Sequence, residues 1–102
     1  MKAEISRIVK SIYTYKDLCN LLHLACEHRN FNIVGIAGLI AEVNSSFSVD
    51  CTDELKPNEY QDYANKFLNM LYEKYSEKTK EFLHDYLRLK DKALKKIGRA
   101  HV

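Results

Sequence analysis

Glycine and proline are scarce in this sequence: three glycines and one proline stand among 102 residues. Sandwiches, barrels and glycine-rich nucleotide loops all need frequent turns, so this scarcity argues against all three. Long apolar runs are also missing, because the longest charge-free apolar stretch, residues 31–41, is far shorter than the ~20 residues of a membrane-spanning helix. We therefore expect one small domain with no membrane span.

The cysteines and the last residues bear on the origin and location of the protein. Three cysteines, an odd number, follow no secretory leader, which favours reduced thiols and predicts a cytoplasmic location. Residues 97–102, Ile-Gly-Arg-Ala-His-Val, resemble the translation of a common sequencing adapter up to its stop codon. We interpret them as a non-native tail on a gene assembled from sequencing reads, the alternative being an ordinary basic tail. The native domain is then expected at residues 1–96.

Apolar residues recur mainly at the three- and four-residue spacing of amphipathic helices, and the chain offers no pair of strands. This pattern predicts an all-α fold, a compact bundle of four or five helices. The predicted core consists of Ile5, Ile8, Ile12, Leu18, Leu22, Ile33, Ile36, Ile40, Tyr63, Phe67, Leu71, Phe82 and Tyr86.

Two early segments carry helix signals of different kinds. Thr14, with Asp17 three residues later, forms the pattern of a capping box and predicts a helix that begins near Tyr15. Residues 33–43 are apolar almost all round, which predicts a buried third helix, with a buried strand as the alternative. Two glycines in this segment, Gly35 and Gly38, would let a neighbouring helix approach closely.

The second half of the chain predicts one long helix or two. Pro57 suits the first turn of a helix, and an apolar stripe follows it with one polar interruption at residues 76–81. A single helix to Lys96 would be too long for a compact domain of this size. Either the helix kinks near Ser76, or it projects, or a missing C-terminal partner supported it.

Candidate catalytic and metal-binding groups are few. Cys19, His23 and Cys26 fall on one helix face at a spacing that could present three zinc ligands, but no C-x-x-C knuckle accompanies them. We interpret Cys19 and Cys26 as small core hydrophobes and His23 as a residue at the core edge, and we expect no metal and no cofactor. His84-Asp85 or His23 with Cys51 could be assembled on paper, but no glycine-bearing turn presents a nucleophile. The sequence therefore predicts that the protein is not an enzyme.

Charge suggests two rival binding functions. Residues 43–81 carry eight acidic and five basic groups, whereas residues 82–102 carry six basic and two acidic ones. The leading hypothesis is a non-catalytic protein-binding module, such as a small inhibitor or a microbial or phage immunity or anti-defence factor, that binds a basic partner protein. Its candidate partner-binding residues, expected to be exposed with Tyr60 or Tyr63 close by, are Asp50, Asp53, Glu54, Glu59, Asp62 and Tyr60.

The alternative is a small helical nucleic-acid-binding protein that uses the basic end of the chain. Its candidate phosphate-binding residues are Arg88, Lys90, Lys92, Lys95 and Lys96. A homo-oligomer is compatible with either hypothesis.

Overall fold

The computed structural model describes the backbone of residues 2–100 and the side chains of residues 2–90. Within that part of the chain there are five α-helices, two single-turn 3-10 helices and no strand, which confirms the predicted all-α fold. The α-helices are α1 (Lys2–Lys10), α2 (Tyr15–Glu27), α3 (Ile33–Ser46), α4 (Tyr60–Lys74) and α5 (Ser76–Ala100). The 3-10 helices are Thr52–Glu54 and Pro57–Glu59, and both lie in the connection between α3 and α4.

The start of α2 follows from the predicted capping box. The Thr14 hydroxyl accepts a hydrogen bond from the Asp17 N–H at 3.1 Å, and the Asp17 carboxylate accepts from the Thr14 N–H at 3.0 Å. Two N–H groups that the helix leaves unpaired are thereby satisfied, and α2 begins at Tyr15 as predicted.

The third segment is a helix and not a strand, and Asn32 caps it by accepting from the Val34 N–H at 2.8 Å. Its burial differs from the prediction. Ile36 lies in the core, but Ile33 is 64% exposed and Val34 is 75% exposed, so Ile33 is not a core residue. The reason is that α2 and α4 pack against one side of α3 only, among the described residues.

The long C-terminal stretch breaks into two helices at Tyr75, next to the predicted kink at Ser76. Tyr75 leaves the helical conformation, with φ −135° and ψ 61°. The buried Thr79 holds the break, because its hydroxyl donates to the Leu71 carbonyl at 2.9 Å while its N–H donates to the Tyr75 carbonyl at 2.7 Å. The backbone of α5 then continues to Ala100.

The core lies between α1, α4 and α5, with α2 and α3 covering its remaining sides. Further buried residues outside the predicted core list complete the core: Leu21, Ala25, Ala64, Leu68 and Leu83 belong to apolar helix faces of the sequence, and the others are Phe31, Leu39, Val43 and Leu55. No helix in the described part of the chain combines the length and apolarity needed to cross a bilayer.

Candidate functional site

The connection between α3 and α4 carries most of the candidate acidic residues, and it is anchored to the core. Ser48 turns the chain away from α3 in the left-handed region, with φ 56°. The Asn44 amide then donates to the Asp50 carbonyl at 3.3 Å, and the Asn44 side-chain oxygen accepts from the buried Tyr63 hydroxyl at 2.6 Å. Leu55, which follows the first 3-10 helix, is only 6% exposed and belongs to the hydrophobic core, so it is a second anchor. The connection is therefore a defined structure rather than a loose loop.

Two of the acidic side chains hold the turns of this connection. The Glu54 carboxylate accepts from the backbone N–H groups of Asp50 at 2.6 Å and Cys51 at 3.0 Å. The Glu59 carboxylate accepts from the Lys56 N–H at 2.9 Å. These three hydrogen bonds lie at the starts of the two 3-10 helices, so both carboxylates have fixed positions as well as charge.

The other three acidic residues, Asp50, Asp53 and Asp62, are exposed. None of the five candidate carboxylates forms a salt bridge with any cation whose side chain the structure describes. The acidic residues also act on the neighbouring Cys51. A hydrogen bond to Asp53, burial and the nearby negative charges raise the pKa of the Cys51 thiol to about 11. The result is a group of five carboxylates that lack salt-bridge partners among the described residues, with the exposed Lys56 as a cation in the same connection. We call the set Asp50, Asp53, Glu54, Glu59 and Asp62 the acidic surface.

An aromatic pair, Tyr15 and Tyr60, lies beside the acidic surface. The half-buried Tyr60 ring packs against Tyr15 of α2, with ring centroids 6.0 Å apart. The Tyr15 hydroxyl is hydrogen-bonded to the Thr52 hydroxyl at 3.1 Å, which ties α2 and α4 to the first 3-10 helix. Tyr63 is fully buried and is not available to a partner. The sequence did not identify Tyr15 as Tyr60's neighbour, because that contact spans two helices distant in the chain.

The residues of the rival basic site are only partly within the described region. Arg88 is exposed and lies 3.5 Å from an Asp85 oxygen, and the Lys90 ammonium lies 5.9 Å from the centre of the Tyr86 ring. The side chains of Lys92, Lys95 and Lys96 lie outside the described residues.

Lys90 has basic neighbours that the sequence did not indicate. It lines a surface depression of about 500 Å³ together with Arg7 and Lys10 of α1 and with Tyr13, which is 76% exposed. Asp17 also borders this depression and contributes one negative charge. Only the packing of α1 against α5 brings these groups together, so no local pattern could have predicted the cluster.

A histidine–carboxylate cluster joins the end of α2 to α5. His28 Nε2 lies 2.9 Å from Asp85 Oδ2, and His28 Nδ1 accepts from the Asn30 N–H at 3.3 Å. Because Nδ1 accepts, the ring proton lies on Nε2 and is donated to Asp85. That hydrogen bond, with the charges of Arg29 and Arg88, lowers the pKa of the Asp85 carboxyl. Both imidazole nitrogens therefore form hydrogen bonds at the end of α2. Neither nitrogen is bonded to a serine or a cysteine among the described residues.

The cysteines and His23 are not gathered into a site. Cys19 and Cys26 are partly buried, while His23 points outward and lies 3.0 Å from Glu27. In the described residues, no three His, Cys, Asp or Glu side chains are grouped closely enough to hold a metal ion.

Likeness to known proteins gives no further guide. The chain matches no protein-family model, and comparison with curated proteins and with solved structures gives no match. The basis for assigning a function is therefore the geometry of the protein's own surfaces.

Proposed function

We propose that this protein is a non-catalytic binding module whose acidic surface binds a basic region of a partner protein. In this role it would act as a small inhibitor or as an immunity or anti-defence factor. The observation that supports this most directly is that none of the five carboxylates forms a salt bridge with a described cation, while four of them are carried on a connection anchored by Leu55 and Asn44. A preorganised surface avoids part of the ordering cost of association.

The exposed carboxylates and the hydrogen-bonded carboxylates would contribute to different steps of binding. Asp50, Asp53 and Asp62 are exposed and would speed encounter with a positively charged partner. Glu54 and Glu59 already accept backbone hydrogen bonds, yet each carboxylate has lone pairs left for an incoming arginine or lysine.

Tyr60 and Tyr15 supply an aromatic contact beside these charges. Tyrosine is favoured at interfaces because it buries a large area and loses few rotamers when it becomes fixed. Both rings are half-buried and braced against each other, which leaves little motion to be lost on binding.

The test compares two double variants of equal charge change. Asp53→Lys/Asp62→Lys reverses two exposed members of the acidic surface without touching the capping residues, whereas Glu27→Lys/Glu73→Lys reverses two exposed carboxylates elsewhere. We expect a partner recovered by the wild type from cells of the source to be lost by the first variant and kept by the second. Its association rate should fall at least about tenfold for the first variant at low salt. Equal recovery by both variants would refute the role of the acidic surface.

A second candidate function, nucleic-acid binding, is favoured by the grouping of Arg7, Lys10 and Lys90 around the exposed Tyr13. Cations from two helices with an aromatic ring between them suit a phosphate backbone and a stacked base.

A gel shift with mixed-sequence single-stranded and duplex DNA at two salt concentrations tests this candidate. Arg7→Glu/Lys10→Glu should abolish the shift, while Lys16→Glu/Lys66→Glu, which removes two exposed cations elsewhere, should leave it. Binding that survives the first change, or that does not weaken steeply with salt, would eliminate the nucleic-acid function.

A further inference from the structure

One side of α3 is apolar and faces solvent. Ile33 is 64% exposed and Val34 is 75% exposed, and the small residues that follow them on the same side are exposed as well. Adjacent exposed apolar residues on one helix face mark interaction sites more often than single ones do. We call this the outer face of α3, and its members are Ile33, Val34, Ala37, Gly38 and Ala41.

The packing within the chain does not account for Gly38. A Cβ on Gly35 would lie 2.6 Å from the Tyr75 hydroxyl oxygen, so the Tyr75 side chain would have to shift to admit one. A Cβ on Gly38 would meet nothing within 4 Å, although glycine inside a helix lowers its stability relative to alanine. A close approach by a backbone from another molecule would explain why this position lacks a side chain.

We propose that the outer face of α3 is the contact surface of a homodimer, in which α3 packs antiparallel against α3 of a second copy. The choice of a second copy follows from the charge on this face. Glu42, which is exposed and lies one turn beyond Gly38, is the one charged residue of α3, and it forms no salt bridge among the described residues. If the other end of α3 carries positive charge, the face is complementary to itself when one copy is reversed.

The helix dipole supplies the positive counterpart. In an antiparallel pair centred near Ala37 and Gly38, each Glu42 comes beside the first turn of the other α3, where the backbone N–H groups, of which Asn32 caps only that of Val34, carry partial positive charge. Lys74 and Lys78 add to it, because both ammonium groups lie over the Tyr75 ring whose hydroxyl reaches α3 at Gly35. A parallel pair would instead bring the two Glu42 carboxylates together.

The size of the face sets the strength of the dimer. α3 has 14 residues and so is roughly 21 Å long at ~1.5 Å per residue. A single helix pair of that length buries less than the ~1,200 Å² of a standard stable interface. The dimer is therefore reversible, with a dissociation constant on the order of 10 μM to 1 mM.

Two variants at one exposed position test the arrangement in the full chain. Val34 lies opposite the Ala41–Glu42 end of the other copy, so Val34→Glu places a carboxylate near Glu42 and Val34→Lys places a cation there. By sedimentation equilibrium up to about 1 mM chain, we expect Val34→Glu to raise the dissociation constant at least tenfold and Val34→Lys to change it by less than about threefold. In the parallel arrangement position 34 meets itself, and both variants would weaken the dimer equally.

A charge swap completes the test. Val34→Glu/Glu42→Lys restores an opposite pair between the copies and should recover most of the association that Val34→Glu loses. Amide spectra recorded on dilution should shift along α3. A wild-type chain that stays monomeric to about 1 mM, shifts confined to another helix, or no recovery by the double variant would each overturn the proposal. Because Val34 is 75% exposed, all variants should keep the wild-type circular dichroism, which separates loss of association from loss of folding.

Discussion

The hydrogen bond between Tyr63 and Asn44 should carry a measurable share of the stability. The Tyr63 hydroxyl is fully buried and donates to the Asn44 side-chain oxygen at 2.6 Å. Tyr63→Phe keeps the ring in place but leaves that buried oxygen without its donor, which costs about 1–3 kcal/mol. In a domain of this size each kcal/mol lowers Tm by about 4–8 °C. We expect Tm of the variant to fall by at least about 4 °C.

A double-mutant cycle separates this bond from other effects of the two changes. Asn44→Ala also loses the amide hydrogen bond to the Asp50 carbonyl, so alone it should cost more than Tyr63→Phe does. The coupling energy, measured by urea unfolding of both single variants and the double variant, should be about 1 kcal/mol. A coupling energy below about 0.5 kcal/mol would refute the assignment of the stability to this bond.

The same tyrosine makes stability sensitive to alkali. Burial raises the pKa of Tyr63 to about 12, above its value of ~10 in the unfolded chain. The unfolded state therefore ionises first, and the stability gained from the protonated tyrosine is complete below pH ~10 and lost as pH rises towards ~12. Burial also raises the pKa of Tyr86, which contributes in the same direction. Tyr63→Phe should reduce the alkaline loss of stability by an amount on the order of 2 kcal/mol.

Two further predictions concern α3 and the junction of α2 with α5. Gly38→Ala should raise the free energy of unfolding by about 0.5–1 kcal/mol in dilute solution, because a Cβ there meets nothing within 4 Å. Gly35→Ala should lower the free energy of unfolding by about 1 kcal/mol, because the added Cβ displaces the Tyr75 hydroxyl. Thermal unfolding of both variants tests the pair of predictions, and shifts of Tm in the same direction would contradict them. The pKa of Asp85 is lowered mainly by its hydrogen bond from His28, so its contribution is present above pH ~4 and lost as pH falls through the lowered pKa. Asp85→Asn removes the charge but keeps an oxygen that can accept from His28, so it should cost about 0.5–1.5 kcal/mol at pH 7 and flatten the acid limb of stability measured by urea unfolding, whereas an unchanged acid limb would rule this out.

Local signals in the sequence were sufficient to predict where helices begin and break. The capping pair Thr14 and Asp17 determines where α2 begins, and it depends only on residues three apart. The break at Tyr75 was likewise indicated by the polar interruption after it, although the Thr79 hydrogen bond that holds it could not be foreseen.

The sequence could not predict which helices pack against one another. The all-round apolar character of α3 predicted burial on every side, yet Val34 is exposed because packing partners cover only one side. The same limit applies to the candidate sites: Tyr15 beside Tyr60, and Arg7 beside Lys90, are contacts between helices far apart in the chain. Residue periodicity reports which face of a helix is apolar but not which helix will cover it.

The packing of α1 has a consequence for synthesis on the ribosome. α1 is synthesised before α4 and α5, which provide its main contacts. At about 5–20 residues per second, the apolar stripe of Ile5, Ile8 and Ile12 stays uncovered for roughly 5–15 s before its partners emerge. Chaperones that bind exposed apolar segments would have access to α1 during that interval, and the core forms only after α4 and α5 have emerged.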